Sequence, residues 1–338
     1  MSKIWLDITN TPQVHFLSAI YRSLERRGDF NCIITAREFS ETAKLLEKQN
    51  EFPFEVIGEH YGRSYIKKVF GLAKRALSVF NSDIQYDISI SCGSESAVWN
   101  AFVRRKKSIT FGDNDLARQW TYGRFVDFAF FPDAIAKEKI IKQGISDQKL
   151  CMYPGYKEDL YLADFEPGTD FKSSLPFDEY VIVRPENIMA NYIRNNKANT
   201  ITPDLLRKLE KKGFNILYLP RYDDDKAYAD GIKNIFIPEE PINGLSAVYY
   251  STGVLTGAGT FAREAACLGV PSFSFFAGSD LLAVDKKLIS EGKIFFSRKP
   301  NEIVNHLMAA KKNEPDLSRS QYVRDQVIDK LYSVIQNN

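Results

Sequence analysis

The strongest chemical signal in the chain is the run Val254-Leu-Thr-Gly-Ala-Gly-Thr-Phe-Ala-Arg-Glu-Ala-Ala-Cys-Leu-Gly-Val-Pro271. An apolar, strand-like stretch leads into Gly257-Ala258-Gly259-Thr260, where helical spacing begins. Glycines let the backbone come close to a ligand. The start of a helix offers unpaired N–H groups and a partial positive charge, which suit a phosphate. Thr260 could cap that helix or hold a phosphate oxygen. Glu264 lies one turn deeper on the same face, where its carboxylate could accept hydrogen bonds from ribose hydroxyls. The same run also reads as a tight strand–helix turn whose glycines serve packing alone. Glu264 and the Leu268-Gly-Val-Pro271 exit favour the phosphate reading. It is not the dinucleotide fingerprint, because the third glycine is missing and the motif falls late in the chain.

Other polar loops also follow strand-like runs. Arg184, in Val183-Arg-Pro-Glu186, offers fixed donors suited to a diphosphate, or it forms a surface ion pair with Glu186. Lys286, in Asp285-Lys286-Lys287, either pairs with phosphate or sits on a solvated helix face. Near the start, Asp7-Ile-Thr-Asn10-Thr11-Pro12 ends a strand and His15 opens a helix. As a neutral ring His15 could take a proton from a hydroxyl, and as a cation it could neutralise a diphosphate. Otherwise it caps the helix. Asp7 is expected to brace its loop through backbone N–H groups. In Phe111-Gly-Asp113-Asn114-Asp115, Asp113 is the candidate general base and Asp115 a helix cap. Ser94 reads as a cap, with Glu95 beside it. Asp223-Asp224-Asp225 has the look of a metal motif but falls on a turn after Pro220-Arg221, and reads as a solvated loop.

These residues need a frame that brings strand ends together. Strand signals fall at 3–8, 31–35, 54–57, 87–92, 107–111 and 127–131, with helical stretches at 14–27, 39–49, 65–80, 95–104 and 134–142. Several strands are short apolar runs without alternation, as expected of a parallel sheet covered on both faces. Residues 153–169 are rich in Pro and Gly and read as a linker. Alternation resumes with strands at 180–183, 215–219, 234–237, 253–256, 271–275 and 294–296. Helical runs between them lie at 203–212, 244–250, 260–268, 281–290 and 301–311. A terminal helix follows at 317–335, with Val323, Val327, Ile328, Leu331 and Ile335 on one face. The expected domains are 1–160 and 170–315, with 316–338 as a helix able to cross back to the first. Two such halves place a cleft at the carboxyl ends of their sheets, where ligands bind.

The stretch 63–80 is basic and amphipathic. Ile66, Val69, Phe70, Ala73, Leu77 and Phe80 fall on one side, with Lys67, Lys68 and Arg75 opposite. The first reading is a helix that packs its apolar side on a sheet. The alternative is a helix lying on an anionic membrane, a peripheral contact.

Composition narrows the class. With 338 residues the chain suits two domains, and 44% hydrophobic with 26% charged residues excludes disorder and coiled coil. Lys and Arg number 45 against 43 acids, a balance that argues against a dedicated nucleic-acid partner. The four cysteines form no Cys-x-x-Cys pair and read as buried thiols of a reducing compartment. Three histidines without metal spacing leave no metal site expected. No signal peptide or membrane-spanning run is evident, so a cytoplasmic protein is expected, at most peripheral to a membrane.

Gly257-Ala-Gly259-Thr260, Glu264-Ala-Ala and Leu268-Gly-Val-Pro271 together resemble the nucleotide-sugar site of glycosyltransferase-B-fold proteins. UDP-N-acetylglucosamine 2-epimerases and the lipid-linked N-acetylglucosaminyl transferases share that pattern. A broader resemblance runs over almost the whole chain to an uncharacterised family of that superfamily. It rests on Trp5-Leu-Asp7-Ile-Thr-Asn10-Thr-Pro12-Gln-Val-His15-Phe16, Phe111-Gly-Asp113-Asn114-Asp115, Pro154-Gly-Tyr-Lys-Glu158, Val183-Arg-Pro-Glu186 and Ala283-Val-Asp-Lys286. Ala258 departs from the related pattern, where a third consecutive glycine is frequent, and is tolerable if its φ is negative. The resemblance implies an α/β glycosyltransferase-B-like fold of two Rossmann-like domains. It implies glycines facing a diphosphate, Glu264 on a ribose, and catalysis without a metal or resident cofactor. The activity it implies is sugar transfer from a nucleotide donor, UDP-linked by this reading, to a polysaccharide or glycolipid acceptor. Gly257, Gly259, Thr260, Glu264, Arg184 and Lys286 would hold the donor. His15 or Asp113 would be the base, with Asn10, Thr11, Glu95 and Asn114 on the acceptor side. A nucleotide-sugar 2-epimerase and a non-catalytic nucleotide-sugar-binding subunit are the alternatives.

Overall fold

The computed structural model describes residues 2–28, 30–38, 42–59, 65–186, 200–240 and 242–336, without the side chains of 65–69 and 170. The chain divides into two compact units, Met1–Tyr161 with Gln321–Asn338, and Leu162–Ser320.

The first unit is built on seven parallel strands: β1 (Ser2–Ile8), β2 (Phe30–Ala36), β3 (Glu55–Val56), β4 (Ile88–Ser91), β5 (Lys107–Phe111), β6 (Phe128–Pro132) and β7 (Leu150–Tyr153). Their order is β3-β2-β1-β4-β5-β6-β7. Chain order therefore reverses between β1 and β4, which is where a doubly wound sheet opens a crevice at its carboxyl edge. The central strands β4 and β5 are buried from Ile88 to Ser91 and from Ser108 to Phe111, their small Ser and Thr side chains included, as in a parallel sheet covered on both faces. Trp5 anchors one face, packed with Ile57, Val79, Ile84, Tyr86, Ala97 and Ala101.

The second unit repeats the plan with β8 (Val181–Arg184), β9 (Ile216–Tyr218), β10 (Ile235–Phe236), β11 (Gly253–Thr256), β12 (Ser272–Ser274) and β13 (Ile294–Phe296). All pair in parallel in the order β10-β9-β8-β11-β12-β13, so β8 and β11 stand where β1 and β4 stand in the first sheet. Val181, Val183, Leu255 and Phe273 meet Leu205, Leu206, Leu209, Ile303 and Leu307 in one core.

Three features depart from sequence expectation. The segment expected to be a linker begins at the last residue of β7 and contains a helix, Lys157–Leu162. Its first Pro-Gly pair makes a turn: Gly155 has φ +78°, and a Cβ there would lie 2.7 Å from Val323 of the terminal helix. That helix, Leu317–Gln336, buries Val323, Val327, Ile328, Leu331 and Ile335, and Tyr332 meets Phe30 edge-on within the first unit.

The second departure is the basic helix Tyr65–Asn81. Residues 63 and 64 and the side chains of Ile66, Lys67, Lys68 and Val69 lie outside the described set. Along the rest, Gly71, Arg75 and Val79 are buried while Phe70, Ala73, Leu77 and Phe80 are exposed. The expected orientation, apolar side on the sheet, is inverted. Arg75 faces inward because a buried carboxylate, Asp7, receives it there, and Val79 joins the Trp5 cluster.

The third concerns 112–127. Asp115 caps no helix, since the segment is a series of turns, and its buried carboxylate takes a 2.7 Å ion pair from Lys139. Among the described residues no helix is long and apolar enough to cross a membrane.

Candidate functional site

In the second unit, β8 and β11 lie side by side with Thr256 opposite Arg184. The Gly257 N–H donates to the Arg184 carbonyl at 3.0 Å. A Cβ on Gly257 would come within 2.5 Å of Glu186 Cα, so glycine is required for the two loops to touch. This is the packing role that the sequence left open. The Thr256 hydroxyl accepts the Ala258 N–H at 2.8 Å and sets up the helix Gly259–Cys267. Ala258 has φ −113°, an ordinary conformation, so alanine costs nothing there. It is the N-cap of the helix and has no side chain that could satisfy the first-turn N–H groups. Thr260 does not cap it; its hydroxyl lies 3.4 Å from Arg263 Nη2. Gly259 leaves room for Arg263, whose Nη1 donates to Asp285 Oδ1 at 2.9 Å in a buried pair. Glu264, in the second turn, is buried.

One arginine stands against that helix start, and others lie on loops after neighbouring strands. The Arg184 guanidinium stands 4.9 Å above the ring of Phe261, in the first turn. The surface Arg184–Glu186 pair considered from sequence does not describe Glu186, which is buried. Its carboxylate accepts from the Thr200 and Thr202 hydroxyls at 2.8 and 2.7 Å and from the Ile201 N–H at 3.0 Å. Arg298, two residues past β13, reaches it at 3.3 Å and donates to the Phe275 carbonyl at 2.7 Å. Arg221, past β9, donates to the Pro185 carbonyl at 2.9 Å. Arg298, Arg221 and Arg263 were not among the sequence candidates: Arg298 and Arg221 are lone arginines after short strands, and Arg263 lies inside the helix Gly259–Cys267, where spacing alone does not show its pairing with Asp285. Lys286 is exposed and 3.8 Å from Asp280, which is the solvated-face reading. In the acidic run Asp223 and Asp224 are exposed, while Asp225 turns in to accept the Arg221 and Tyr222 N–H groups.

The first unit uses the equivalent place differently. Asp7, at the end of β1, is fully buried. Arg75 Nη2 donates to it at 2.6 Å and Nη1 at 3.1 Å, Ser94 Oγ at 2.6 Å and Thr35 Oγ1 at 2.8 Å. Asp7 thus braces the rim through side chains rather than the expected backbone groups. Burial alone would raise its pKa. The Arg75 charge and the hydrogen bonds from Arg75, Ser94 and Thr35 outweigh burial and hold it below the usual carboxylate value. Ser94 also caps the helix Glu95–Val103 by accepting the Ala97 N–H. Gln13 ties the loops after β1 and β4 together, accepting the Thr9 N–H at 2.8 Å and donating to the Cys92 carbonyl at 3.0 Å.

The other candidates of this unit have separate surroundings. His15 Nδ1 meets Gln49 Nε2 at 3.2 Å, and its ring centroid lies 5.9 Å from that of Tyr161. Burial, with the nearby Arg22 charge, lowers its pKa to about 4. The ring is therefore neutral at pH 7, which removes the cationic role and leaves a weak base. Asp113 Oδ2 takes a 2.7 Å ion pair from the mostly buried Lys157. Asn114 folds back to accept the Leu116 N–H, and Thr11 shares a hydrogen bond with Thr42. The Asn10 carbonyl accepts the Gln13 N–H. Glu95 sits half-buried at the rim beside Thr121, whose hydroxyl lies 3.4 Å from Oε1. Burial pushes its pKa up. Its own N–H, Thr121 and the charges of Arg37 and Arg75 only partly offset that. Among the described residues no group of three His, Cys, Asp or Glu side chains is placed to hold a metal ion.

Comparison with known proteins places this geometry. The chain belongs to the family described as protein of unknown function DUF354, which matches residues 2–336. An uncharacterised protein of Methanocaldococcus jannaschii, MJ0665, is 28% identical over 316 residues, 90% of each chain. Among solved structures, the UDP-GlcNAc 2-epimerase of Neisseria meningitidis bound to UDP-GlcNAc has a TM-score of 0.75 at 12% identity, covering 98% of this chain and 100% of that one. The UDP-GlcNAc 2-epimerase of Methanocaldococcus jannaschii scores 0.69 at 15% identity, covering 98% and 99%. Anabaena Alr3699/HepE in complex with UDP and glucose scores 0.59 at 12%, covering 98% and 100%. The fold is the glycosyltransferase-B-like α/β architecture of two Rossmann-like domains.

Proposed function

We propose that this member of the DUF354 family acts on a nucleotide-linked sugar, with UDP as the nucleotide, and transfers the sugar to a hydroxyl of a polysaccharide or glycolipid acceptor. The observation that carries this is the uncapped start of the helix Gly259–Cys267 at the β8/β11 switch point, with Arg184 against its first turn. The similar folds whose solved structures hold UDP-GlcNAc or UDP support the choice of nucleotide. First-turn N–H groups and Arg184 receive the diphosphate, and Arg298 and Arg221 stand on neighbouring loops of the same edge. Glu264 takes the ribose hydroxyls.

In the transfer, the acceptor oxygen bonds to the anomeric carbon as the bond from that carbon to UDP breaks. The charge left on the β-phosphate falls on donors that already point at it, so little reorganisation is needed. The acceptor's proton goes to a base. His15 is too weakly basic for that and Asp113 is already held by Lys157. We assign the base to Glu95, whose raised pKa makes its carboxylate the better proton acceptor.

Epimerisation at the sugar's second carbon is the other reading, favoured by the solved 2-epimerases of the same fold. It shares the loss of UDP but must also exchange a ring proton. Incubation of the protein with UDP-GlcNAc in heavy water, followed by NMR, separates the two. The expected outcome is slow release of UDP with no deuterium in the sugar. Deuterium at the second carbon with a new epimer would overturn transfer in favour of epimerisation, and absence of UDP binding by calorimetry would overturn both.

A further inference from the structure

The inverted helix turns apolar side chains outward. Phe70 and Leu77 are 64% and 63% exposed, and Phe80 and Ala73 lie on the same side. The helix Glu95–Val103 packs beside this one and exposes Phe102 and Val103 at its end. The Phe102 ring contacts Phe125, with centroids 4.8 Å apart. Trp99 Nε1 donates to the Thr121 carbonyl and fastens the turn that exposes Trp120, with Leu116 nearby. Arg104 bridges the two helices, donating to the Phe80 carbonyl with its guanidinium 5.7 Å from the Phe80 ring. These elements of the first unit therefore expose Phe70, Leu77, Phe80, Phe102, Val103, Leu116, Trp120 and Phe125. Monomeric proteins rarely expose so much apolar surface without a use for it.

The charges among these side chains identify what covers them. Residues 70–81, 102–106 and 116–125 contain no Asp or Glu. Lys74, Arg105, Lys106, Arg118 and Arg124 are exposed among the apolar side chains, with Lys106 paired to Asp87, and Asp83 is also exposed. A second copy docked by twofold symmetry would press these like charges together. A surface with anionic headgroups above an apolar interior satisfies both components: aromatic and aliphatic groups enter the interface, and cations remain at headgroup level.

We propose that the face formed by 70–81, 102–106 and 116–125 docks on an anionic lipid bilayer and holds the protein peripherally at a membrane. The proposal does not depend on the sugar chemistry assigned to the second unit. Its test is sedimentation of the full chain with vesicles of phosphatidylcholine containing 30% phosphatidylglycerol (about one anionic lipid in three), against vesicles of phosphatidylcholine alone. The result expected is binding that requires phosphatidylglycerol and weakens in 0.5 M salt, roughly as Debye screening predicts. Leu77→Asp with Phe102→Asp should lower the bound fraction at least about tenfold. Both side chains are exposed, so the thermal melt should stay unchanged, and UDP binding by calorimetry should match the parent chain. Undiminished binding by a folded double variant would overturn the proposal, as would no binding or binding indifferent to phosphatidylglycerol. A dimer in light scattering that the double variant dissociates would assign the face to a second copy and likewise overturn it.

Discussion

The two units apply one strand order to two different ends. In each, a helix begins just after the strand on the far side of the switch point, β4 in the first and β11 in the second. After β4, Ser94 caps the helix and hands a second hydrogen bond to Asp7, itself held by Arg75. That helix start is satisfied by the protein's own Ser94 hydroxyl, which the Asp7 carboxylate holds in place. After β11, alanine stands at the cap position, glycine at 257 lets the neighbouring loop close in, and arginines stand nearby. There, among the described residues, no side chain caps the helix. A helix N-terminus is a binding site only when the fold leaves it unpartnered.

Removing the proton-handling group of the first rim should have the largest effect. Glu95→Gln should lower turnover by about 10²–10⁴ with UDP affinity unchanged. Equal turnover would return Glu95 to a structural role, and lost UDP binding would break the division between the units.

Next comes the internal ion pair that makes the first rim self-sufficient. Arg75→Met strands the Asp7 carboxylate and should cost about 3–5 kcal/mol in denaturant unfolding. The Asp7 pKa is lowered in the folded state. Its contribution is therefore fully present above the unfolded value of 3.8 and fades as pH falls through the lower folded value. The variant should lose that acid dependence. An unfolding curve like that of the parent would mean the pair does not govern the rim.

The second rim should respond through ligand rather than stability. Glu264→Gln should weaken UDP binding tenfold to a hundredfold, about 1.5–3 kcal/mol, in calorimetry. Unchanged affinity would remove the ribose assignment and weaken the contrast with the first unit.

Per pH unit, the smallest effect belongs to His15. Its pKa falls from 6.5 unfolded to about 4 folded, so between those values the unfolded chain binds more protons and stability rises with pH. His15→Gln should flatten that slope by at most about 1.4 kcal/mol per pH unit across pH 4–6.5. A parent chain whose stability is flat across that window would show the ring to be open to water.

Much of the frame is legible in the residues. Unbroken apolar runs are how strands covered on both faces read, and they mark most strands of both sheets. β7 escaped because Pro154 and Gly155 just beyond it read as a linker. At the candidate site, the Gly257–Glu264 run announced a strand, a close turn and a helix start, because all three are local events. The position of Arg184 at a strand end was legible for the same reason.

Side-chain partnerships were not legible, because they join distant positions. Lys157 lies 44 residues from Asp113, and Arg75 lies 68 from Asp7. Periodicity alone placed Arg75 on the water side of its helix, and only the buried carboxylate opposite it reverses that choice. A guanidinium that makes four hydrogen bonds inside a protein, to the Asp7 carboxylate, the Ile57 carbonyl and the Ser94 hydroxyl, is better satisfied than one left unpaired there, and the apolar side chains of the same helix are turned outward as the consequence. Spacing along the sequence determined which elements form and where loops of both sheets emerge. The tertiary structure decided which charges are paired inside the fold and which helix start a side chain caps, because burial and pairing depend on what arrives from elsewhere in the chain.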